Sequence, residues 1–158
     1  MPRPFTLLQA PYCGRDVERI LVDAAGKYYN EHYKPAGIPQ ATTPDVSVKR
    51  LSKLGLRPIL DNVSFAHRIE WLNSYLWQQH KPIALWTRAT SKPLMYVPHY
   101  LHVVAVLDLT PKGYKVLDPR KSAHPRTSED VEYWSEADMR WFWRNTPFST
   151  TVPALHLA

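Results

Sequence analysis

The sequence has 158 residues, the length of one ordinary domain, and we expect residues 1–158 to form a single one. Hydrophobic residues make up 44% and charged residues 22%, which is typical of a globular chain with its own core. The formal net charge is +6, but lysines and arginines are scattered and no nucleic-acid-binding motif is present, so nucleic acid is not an expected partner. No apolar run approaches the ~20 residues of a transmembrane helix, so no membrane partner is expected.

Cys13 is the only cysteine, which excludes an internal disulfide and fits a protein that acts in a reducing cytosol. It stands at the start of a periodic segment that predicts a helix over residues 13–30, with Val17, Ile20 and Leu21 on its buried stripe. The N–H groups and partial positive charge at a helix N-terminus favour a thiolate over a thiol. The position therefore indicates a nucleophile, provided that a histidine can reach it.

The remaining predicted elements change from helical to strand periodicity along the chain. In chain order they are a helix at 45–54 with Thr43 or Asp45 as its cap, a helix at 64–79, strands at 83–87, 100–109 and 114–117, and a last helix capped by Ser135 and ending near residue 145. Helices followed by the strands of an antiparallel sheet and then by one more helix predict an α+β fold.

A cysteine nucleophile needs a histidine and a group that orients it. His102 opens a strand that is apolar on both faces, a position that singles it out among the seven histidines. His99 precedes it by three residues, but no third ligand accompanies the two, so we predict no metal site. Among the other histidines, His32, His67 and His80 are interpreted as surface residues, whereas His124 lies in a polar loop and His156 near a terminus.

Asp118 ends the next strand, and the geometry of the hairpin decides whether it meets His102. A three-residue loop over residues 111–113 would place Asp118 opposite Val106 and on the same face as His102. A four-residue loop would place them on opposite faces. Gly113 favours the three-residue form with a glycine bulge, so the pattern is consistent with a His102–Asp118 pair.

These residues together resemble the papain-like cysteine peptidases, and among them the bacteriocin-processing peptidases of double-glycine leaders. The matching elements are Gln9 four residues before Cys13 and its following glycine, His102 in His-Val-Val, and Asp118 in Asp-Pro, in the same order and spacing. The resemblance implies a papain-like fold, with N-terminal helices packed on a C-terminal antiparallel sheet. It also implies roles: Cys13 as nucleophile, His102 as its base, Asp118 as the orienting group and Gln9 as an oxyanion donor.

The sequence departs from the family pattern around the cysteine. Tyr12 replaces the acidic residue that often precedes it, and Arg15 and Asp16 replace a small residue that usually follows. No exporter domain is attached, so we expect a free-standing bacterial toxin or effector, delivered or secreted by bacteria and active in a reducing cytosol.

The expected reaction is hydrolysis of a peptide bond through an acyl-enzyme, after small residues such as Gly-Gly and without a cofactor. The expected partners are a protein or peptide substrate and, for a toxin, a cognate inhibitor (immunity) protein. Deamidation and acyl transfer use the same triad, and a non-catalytic interaction domain can keep the fold, so these alternatives stay open.

The aromatic residues carry further expectations. The tryptophans near the last helix are expected to pack on it: Trp134, Trp141 and Trp143. Trp86 is expected either in the core or on the wall of a substrate groove, and Tyr96 and Tyr100 are expected to help shape that groove.

Overall fold

The computed structural model of the chain describes residues 13–27, 43–87, 102–118, 131–144 and 150–158. Within these ranges the elements are, in chain order, α1 Cys13–Ala24, α2 Pro44–Lys53, β1 Pro58–Ser64, α3 Arg68–Gln79, β2 Ile83–Thr87, β3 His102–Thr110, β4 Gly113–Leu117, β5 Glu132–Trp134, α4 Glu136–Phe142 and β6 Thr151–Leu157. A 3₁₀ turn, Phe65–His67, joins β1 to α3. The strands form one antiparallel sheet in the order β1-β6-β2-β3-β4-β5, so the predicted α+β class is confirmed.

Helices cover both faces of the sheet because strand side chains alternate between two apolar clusters. α1 and α2 pack on one face, through residues such as Val17 and Leu51. α3 and α4 pack on the other face, through residues such as Leu72 and Met139. Trp86 is 1% exposed within the first cluster, so it is a core residue and not part of a groove wall.

α1 ends earlier than the sequence pattern predicts, at Ala24. Gly26 follows with a φ of +71°, and the Lys27 N–H donates to the Val22 carbonyl over 3.1 Å. This is the left-handed termination that glycine favours at a helix end. The predicted continuation beyond residue 27 lies outside the described residues.

The helix caps agree with the sequence in two places. Thr43 caps α2, its side chain accepting a hydrogen bond from the Val46 N–H, and α2 matches the predicted helix within a residue at each end. At α4, Ser135 and Asp138 form the reciprocal capping box. α4 is shorter than predicted, since it ends at Phe142.

β1, β5 and β6 lie where the sequence analysis predicts no strand. β1 pairs with β6 along its whole length, from Pro58 opposite Leu157 to Ser64 opposite Thr151, so Ser64 ends a strand instead of beginning a helix. β6 contains Pro153, and β6 pairs with β2 only at the two residues that follow it. The ladder to β2 stops at this proline, which has no N–H to donate.

The β3–β4 turn is tighter than predicted, because Thr110 pairs with Gly113. Such a two-residue turn alone would put His102 and Asp118 on opposite faces. A register shift between Val106 and Asp108 inserts one extra residue in β3 and restores the shared face. In the resulting register Ala105 pairs with Leu117, so the next residue, Asp118, lies beside Val104. The sequence predicted that it would lie opposite Val106.

Gly113 is required at this turn for two reasons. Its φ of +115° lies in the region that side-chain-bearing residues rarely adopt. A Cβ at this position would also collide with the carbonyl oxygen of Trp134 on the neighbouring strand. The glycine therefore allows β5 to approach the hairpin that carries His102 and Asp118.

Candidate active site

His102 and Asp118 meet at one end of the sheet, because His102 is the first residue of β3 and Asp118 directly follows β4. Nε2 of His102 contacts Oδ1 of Asp118 in a buried pair. The two residues are 3% and 1% exposed, respectively. Because water is largely excluded, this contact holds the imidazole more strongly than a surface contact would.

Aromatic side chains fix the other surroundings of the imidazole. The ring of Phe142, from α4, stands edge-on to the His102 ring with 6.3 Å between centroids. Trp134, from β5, packs on Phe142 at 5.1 Å. An apolar wall of this kind restricts rotation of the imidazole and keeps water from its edge.

The other two tryptophans near α4, Trp141 and Trp143, differ in their exposure to solvent. Trp143 is fully buried, and its indole N–H donates to the Pro153 carbonyl over 3.1 Å. Trp141 is 65% exposed, so the expectation that it packs into the structure was wrong. Its position on α4 turns it outward, away from the apolar stripe that Met139 and Phe142 form.

The remaining described histidines lie apart from this site. His67 and His80 are at the two ends of α3 and are exposed, as the sequence indicates. His156 is not a simple surface residue, because its side chain is 13% exposed and pairs with Asp61 over 3.0 Å. This second His–Asp pair lies on the β1–β6 ladder, among the strands that the sequence did not predict.

Cys13 is the first residue of α1, as the sequence indicates. α1 packs against β3, so the helix that begins with the cysteine contacts the strand that begins with His102. The Cys13 side chain and Gln9 lie outside the described part of the structure, as do His99, Tyr96 and Tyr100. Their predicted roles stay predictions.

Charged residues of α1 are buried, which the sequence analysis did not anticipate: Arg15, Asp16, Glu18 and Arg19 are all 4% exposed or less. Glu18 accepts hydrogen bonds from Arg50 Nε at 2.8 Å, from Arg50 Nη2 at 2.5 Å and from the Ser47 hydroxyl at 3.2 Å. Burial raises the pKa of Glu18, while the Arg50 guanidinium opposes that rise. The pair fastens α2 to α1.

Arg68 similarly fastens the end of α4 to the start of α3. Its guanidinium donates to the carbonyls of Trp143 at 2.7 Å, Arg140 at 3.1 Å and Phe65 at 2.8 Å. Burial lowers the pKa of Arg68. Because the Arg140 carbonyl lies in the last turn of α4 and the Trp143 carbonyl directly follows that helix, the arginine holds the helix that carries Phe142 in place.

A cleft of about 340 Å³ lies beside the His102–Asp118 pair. Its lining consists of Asp118, Glu132, Tyr133, Trp134, Asp138, Trp141 and Phe142. Asp118 and Phe142 are buried, whereas Tyr133 and Trp141 are 42% and 65% exposed. The cleft therefore runs from solvent at its aromatic rim to the Asp118 carboxylate at its inner end.

The described ranges contain neither a metal-ligand cluster nor a membrane-spanning helix. No group of three or more histidine, cysteine, aspartate or glutamate side chains among them is placed to hold a metal ion. None of the helices in these ranges combines the length and the apolar character needed to cross a membrane.

Comparisons with known proteins give a structural match and no sequence match. No protein-family model and no curated protein sequence matches this chain. Two crystal structures of the peptidase domain of Streptococcus mutans ComA share its fold. The one in complex with a small-molecule inhibitor has a TM-score of 0.59 at 15% sequence identity, and it covers 98% of this chain and 99% of that chain. The other has a TM-score of 0.56 at 16% identity, with the same coverage.

At this level of identity the comparison establishes the fold. Nearly the whole length of both chains takes part, so the likeness is one of complete architecture and not of a shared motif. The resemblance that the sequence suggested is confirmed at this level: the chain has the papain-like α+β fold of the ComA peptidase domain.

Proposed function

We propose that this chain is a papain-like cysteine peptidase that cleaves a protein or peptide through an acyl-enzyme. The observation that carries the proposal is the buried His102–Asp118 pair at the start of β3, in a fold shared with a peptidase domain. Cys13 supports it, because it begins the helix that packs on β3.

The contact between His102 and Asp118 supports a division of roles between the two ring nitrogens. Since Asp118 contacts Nε2, Nδ1 is the nitrogen that would exchange a proton with the Cys13 thiol. In this mechanism the thiolate attacks the carbonyl carbon, and the imidazolium protonates the departing amine. Water, deprotonated by His102, then hydrolyses the thioester and releases the acid. Asp118 keeps the imidazole oriented through both steps.

Cys13 and His102 would meet around the end of the sheet. α1 packs on one face, whereas Phe142, which stands against the His102 ring, lies in the apolar cluster of the other face. The proposal requires Cys13, the first residue of α1, to approach His102 around the end of the sheet at which β3 begins.

The proposed oxyanion hole comes from the sequence resemblance. It consists of the Gln9 side-chain amide and the Cys13 backbone N–H, which would donate to the carbonyl oxygen as it gains charge. A donor of this kind typically contributes about 10²–10³-fold to the rate. Gln9→Ala should therefore lower kcat by roughly that factor.

The substrate and the biological setting are also proposed from the resemblance. We propose cleavage after small residues such as Gly-Gly, and a role as a bacterial toxin or effector that is delivered or secreted and acts in a reducing cytosol. A cognate inhibitor protein would then be its partner. The likeness to a peptidase domain supports a protein or peptide substrate.

Mass spectrometry of a proteome treated with the protein tests the reaction type. New peptide N-termini that are absent after treatment with Cys13→Ala are the expected result. Mass increases of 1 Da without new N-termini would contradict peptidase activity and indicate deamidation. No change of either kind, together with slow labelling of Cys13 by iodoacetamide, would indicate a non-catalytic domain.

A further inference from the structure

β1 is an outer strand of the sheet that the described residues form, and part of its backbone faces away from β6. The Ala158 N–H donates to the Arg57 carbonyl over 2.9 Å, and the Phe65 N–H donates to the Thr150 carbonyl over 2.8 Å. Because hydrogen-bonded positions alternate along an antiparallel ladder, the odd-numbered residues of β1 bond to β6. The even-numbered residues therefore direct their backbone groups away from the sheet, and we call this row of groups the β1 edge.

The β1 edge offers hydrogen-bond donors and acceptors in one line. Leu60 and Asn62 each present an N–H and a carbonyl, Ser64 presents an N–H, and Pro58 presents a carbonyl alone. Within the described ranges no backbone hydrogen bond reaches these groups. The side chains of Ile59, Asn62 and Ser64 are exposed, so the strand is open to solvent along its length. A seven-residue edge of this kind can pair with an added strand.

Exposed cations flank the β1 edge. Lys49 and Lys53 lie on the exposed side of α2, which packs against β1, and Arg57 directly precedes the strand. None of the three forms an ion pair in the described part of the chain. Asp61, the only carboxylate of β1, pairs with a histidine of β6, and Asp45 lies at the far end of α2. The surroundings of the edge are therefore positive, which favours an acidic ligand.

The same charges disfavour a second copy of this chain at the β1 edge. Pairing of β1 with β1 of another copy would bring together two proteins that each carry a net charge of +6. Like charges across an interface oppose association, whereas opposite charges speed encounter and fix the partner. The charge balance therefore indicates an acidic partner.

We propose that the β1 edge binds an extended, acidic segment of a protein partner as an added strand. The backbone of that segment pairs with Leu60, Asn62 and Ser64, and its carboxylates reach Lys53 and Arg57. In this mode of recognition the backbone bonds supply affinity, and the side chains supply specificity. β6 and β2 lie between β1 and β3, so the added strand runs about 20 Å from the strand of His102. The inference therefore does not depend on the proposed peptidase activity.

A blocked heptapeptide of alternating glutamate and valine is the probe, and Cys13→Ala is the protein, so that the probe stays intact. Amide hydrogen exchange, followed residue by residue by NMR, reports on the edge. With peptide at ten times its Kd, the N–H groups of Leu60, Asn62 and Ser64 should exchange about tenfold more slowly. The N–H groups of Ile59 and Asp61 already bond to β6 and serve as internal controls, since their exchange should change much less.

Charge variants test the flanking cations. Lys53→Gln and Arg57→Gln should each weaken binding of the glutamate peptide by up to about fivefold, as expected for exposed charge pairs. Lys112→Gln is the matched control, because Lys112 is exposed at the β3–β4 turn on the other side of the sheet centre, and it should leave Kd unchanged. A heptapeptide of alternating lysine and valine should bind several-fold more weakly than the glutamate peptide.

Three results would overturn the inference. The first is binding of the glutamate and lysine peptides with equal Kd, or no binding up to about 5 mM. The second is binding that leaves the exchange of the Leu60, Asn62 and Ser64 amides unchanged. The third is a dimer in analytical ultracentrifugation whose edge amides are already protected without peptide, because the occupant of the β1 edge would then be a second copy of this chain.

Discussion

Two charged pairs among the described residues, Glu18–Arg50 and His102–Asp118, differ in their surroundings. Glu18 is enclosed between α1 and α2, where the Arg50 guanidinium and the Ser47 hydroxyl take its oxygens. Asp118 and His102 lie equally deep, at the ends of two strands, but their cleft opens to solvent at an aromatic rim. Burial of charge is therefore common to both pairs, whereas a cleft adjoins the second pair. Variants of the two pairs should separate activity from stability.

His102→Ala should have the largest effect. Loss of the imidazole removes both the partner of the thiolate and the acid for the leaving amine, so kcat should fall on the order of 10⁵-fold. Steady-state peptidase kinetics measure this. His80→Asn is the matched control, because His80 is exposed, lies at the end of α3 and has a φ of +50° that asparagine tolerates. Retention of activity within tenfold in His102→Ala would contradict the proposed role.

Asp118→Asn should lower kcat by roughly 10³–10⁴-fold, because the amide no longer stabilises the imidazolium in the orientation that the carboxylate fixes. The folded structure should persist, since the substitution keeps the size of the side chain. Asp61→Asn is the control: it makes the same change in the chain's other His–Asp pair, with His156. Comparable losses in the two variants would show that Asp118 has no special part in the reaction.

Glu18→Gln should destabilise the protein by about 3 kcal/mol, because it removes a buried charge that pairs with the guanidinium of Arg50. Urea denaturation followed by circular dichroism measures the loss. Replacing both partners, as in Glu18→Leu with Arg50→Met, should recover at least half of it, since burial of the ion pair is itself costly. Activity of the folded protein should be retained.

The exposed pair on α4 provides the control for this stability effect. Glu136 and Arg140 interact over 3.3 Å with side chains that are 58% and 42% exposed. Glu136→Gln should therefore change stability by less than about 0.5 kcal/mol. A larger loss than that of Glu18→Gln would contradict the assignment of Glu18–Arg50 as the structural pair.

At alkaline pH we expect a smaller loss of folding stability, which involves Tyr75. Burial raises the pKa of Tyr75 from 10 to about 12, with Asp61 adding to the rise. Between these pH values the unfolded chain loses the phenol proton and the folded chain keeps it, so stability falls as pH rises. The loss amounts to about 2 kcal/mol by pH 12. Tyr75→Phe should flatten this fall in denaturation midpoints measured from pH 9 to 12, and an unchanged slope would contradict it.

Local sequence patterns were sufficient to predict several helices and strands. The stripe of Val17, Ile20 and Leu21 predicted α1, and Ser135 predicted the cap of α4. Thr43, one of two candidates for the cap of α2, is the residue that caps it. The apolar runs predicted β2, β3 and β4 because both faces of these central strands are covered by helices.

Other features depend on tertiary contacts that leave no local pattern. β6 contains a proline, which argues against a strand by any local rule, yet β1 pairs with its full length. Glu18 and Arg50 are 32 residues apart on two helices, so their pairing has no sequence signature. The shared face of His102 and Asp118 was predicted through a three-residue turn, whereas a tighter turn and a bulge produce it.

The central claim is that Cys13 is a nucleophile held as a thiolate by His102. The most direct measurement is the rate of Cys13 alkylation by iodoacetamide as a function of pH, in the wild-type protein and in His102→Ala. The account predicts that the wild-type thiol reacts near its maximal rate already at pH 6, and that His102→Ala loses this reactivity. Alkylation that rises only near pH 8.5, as for an ordinary thiol, and identically in both proteins would contradict it.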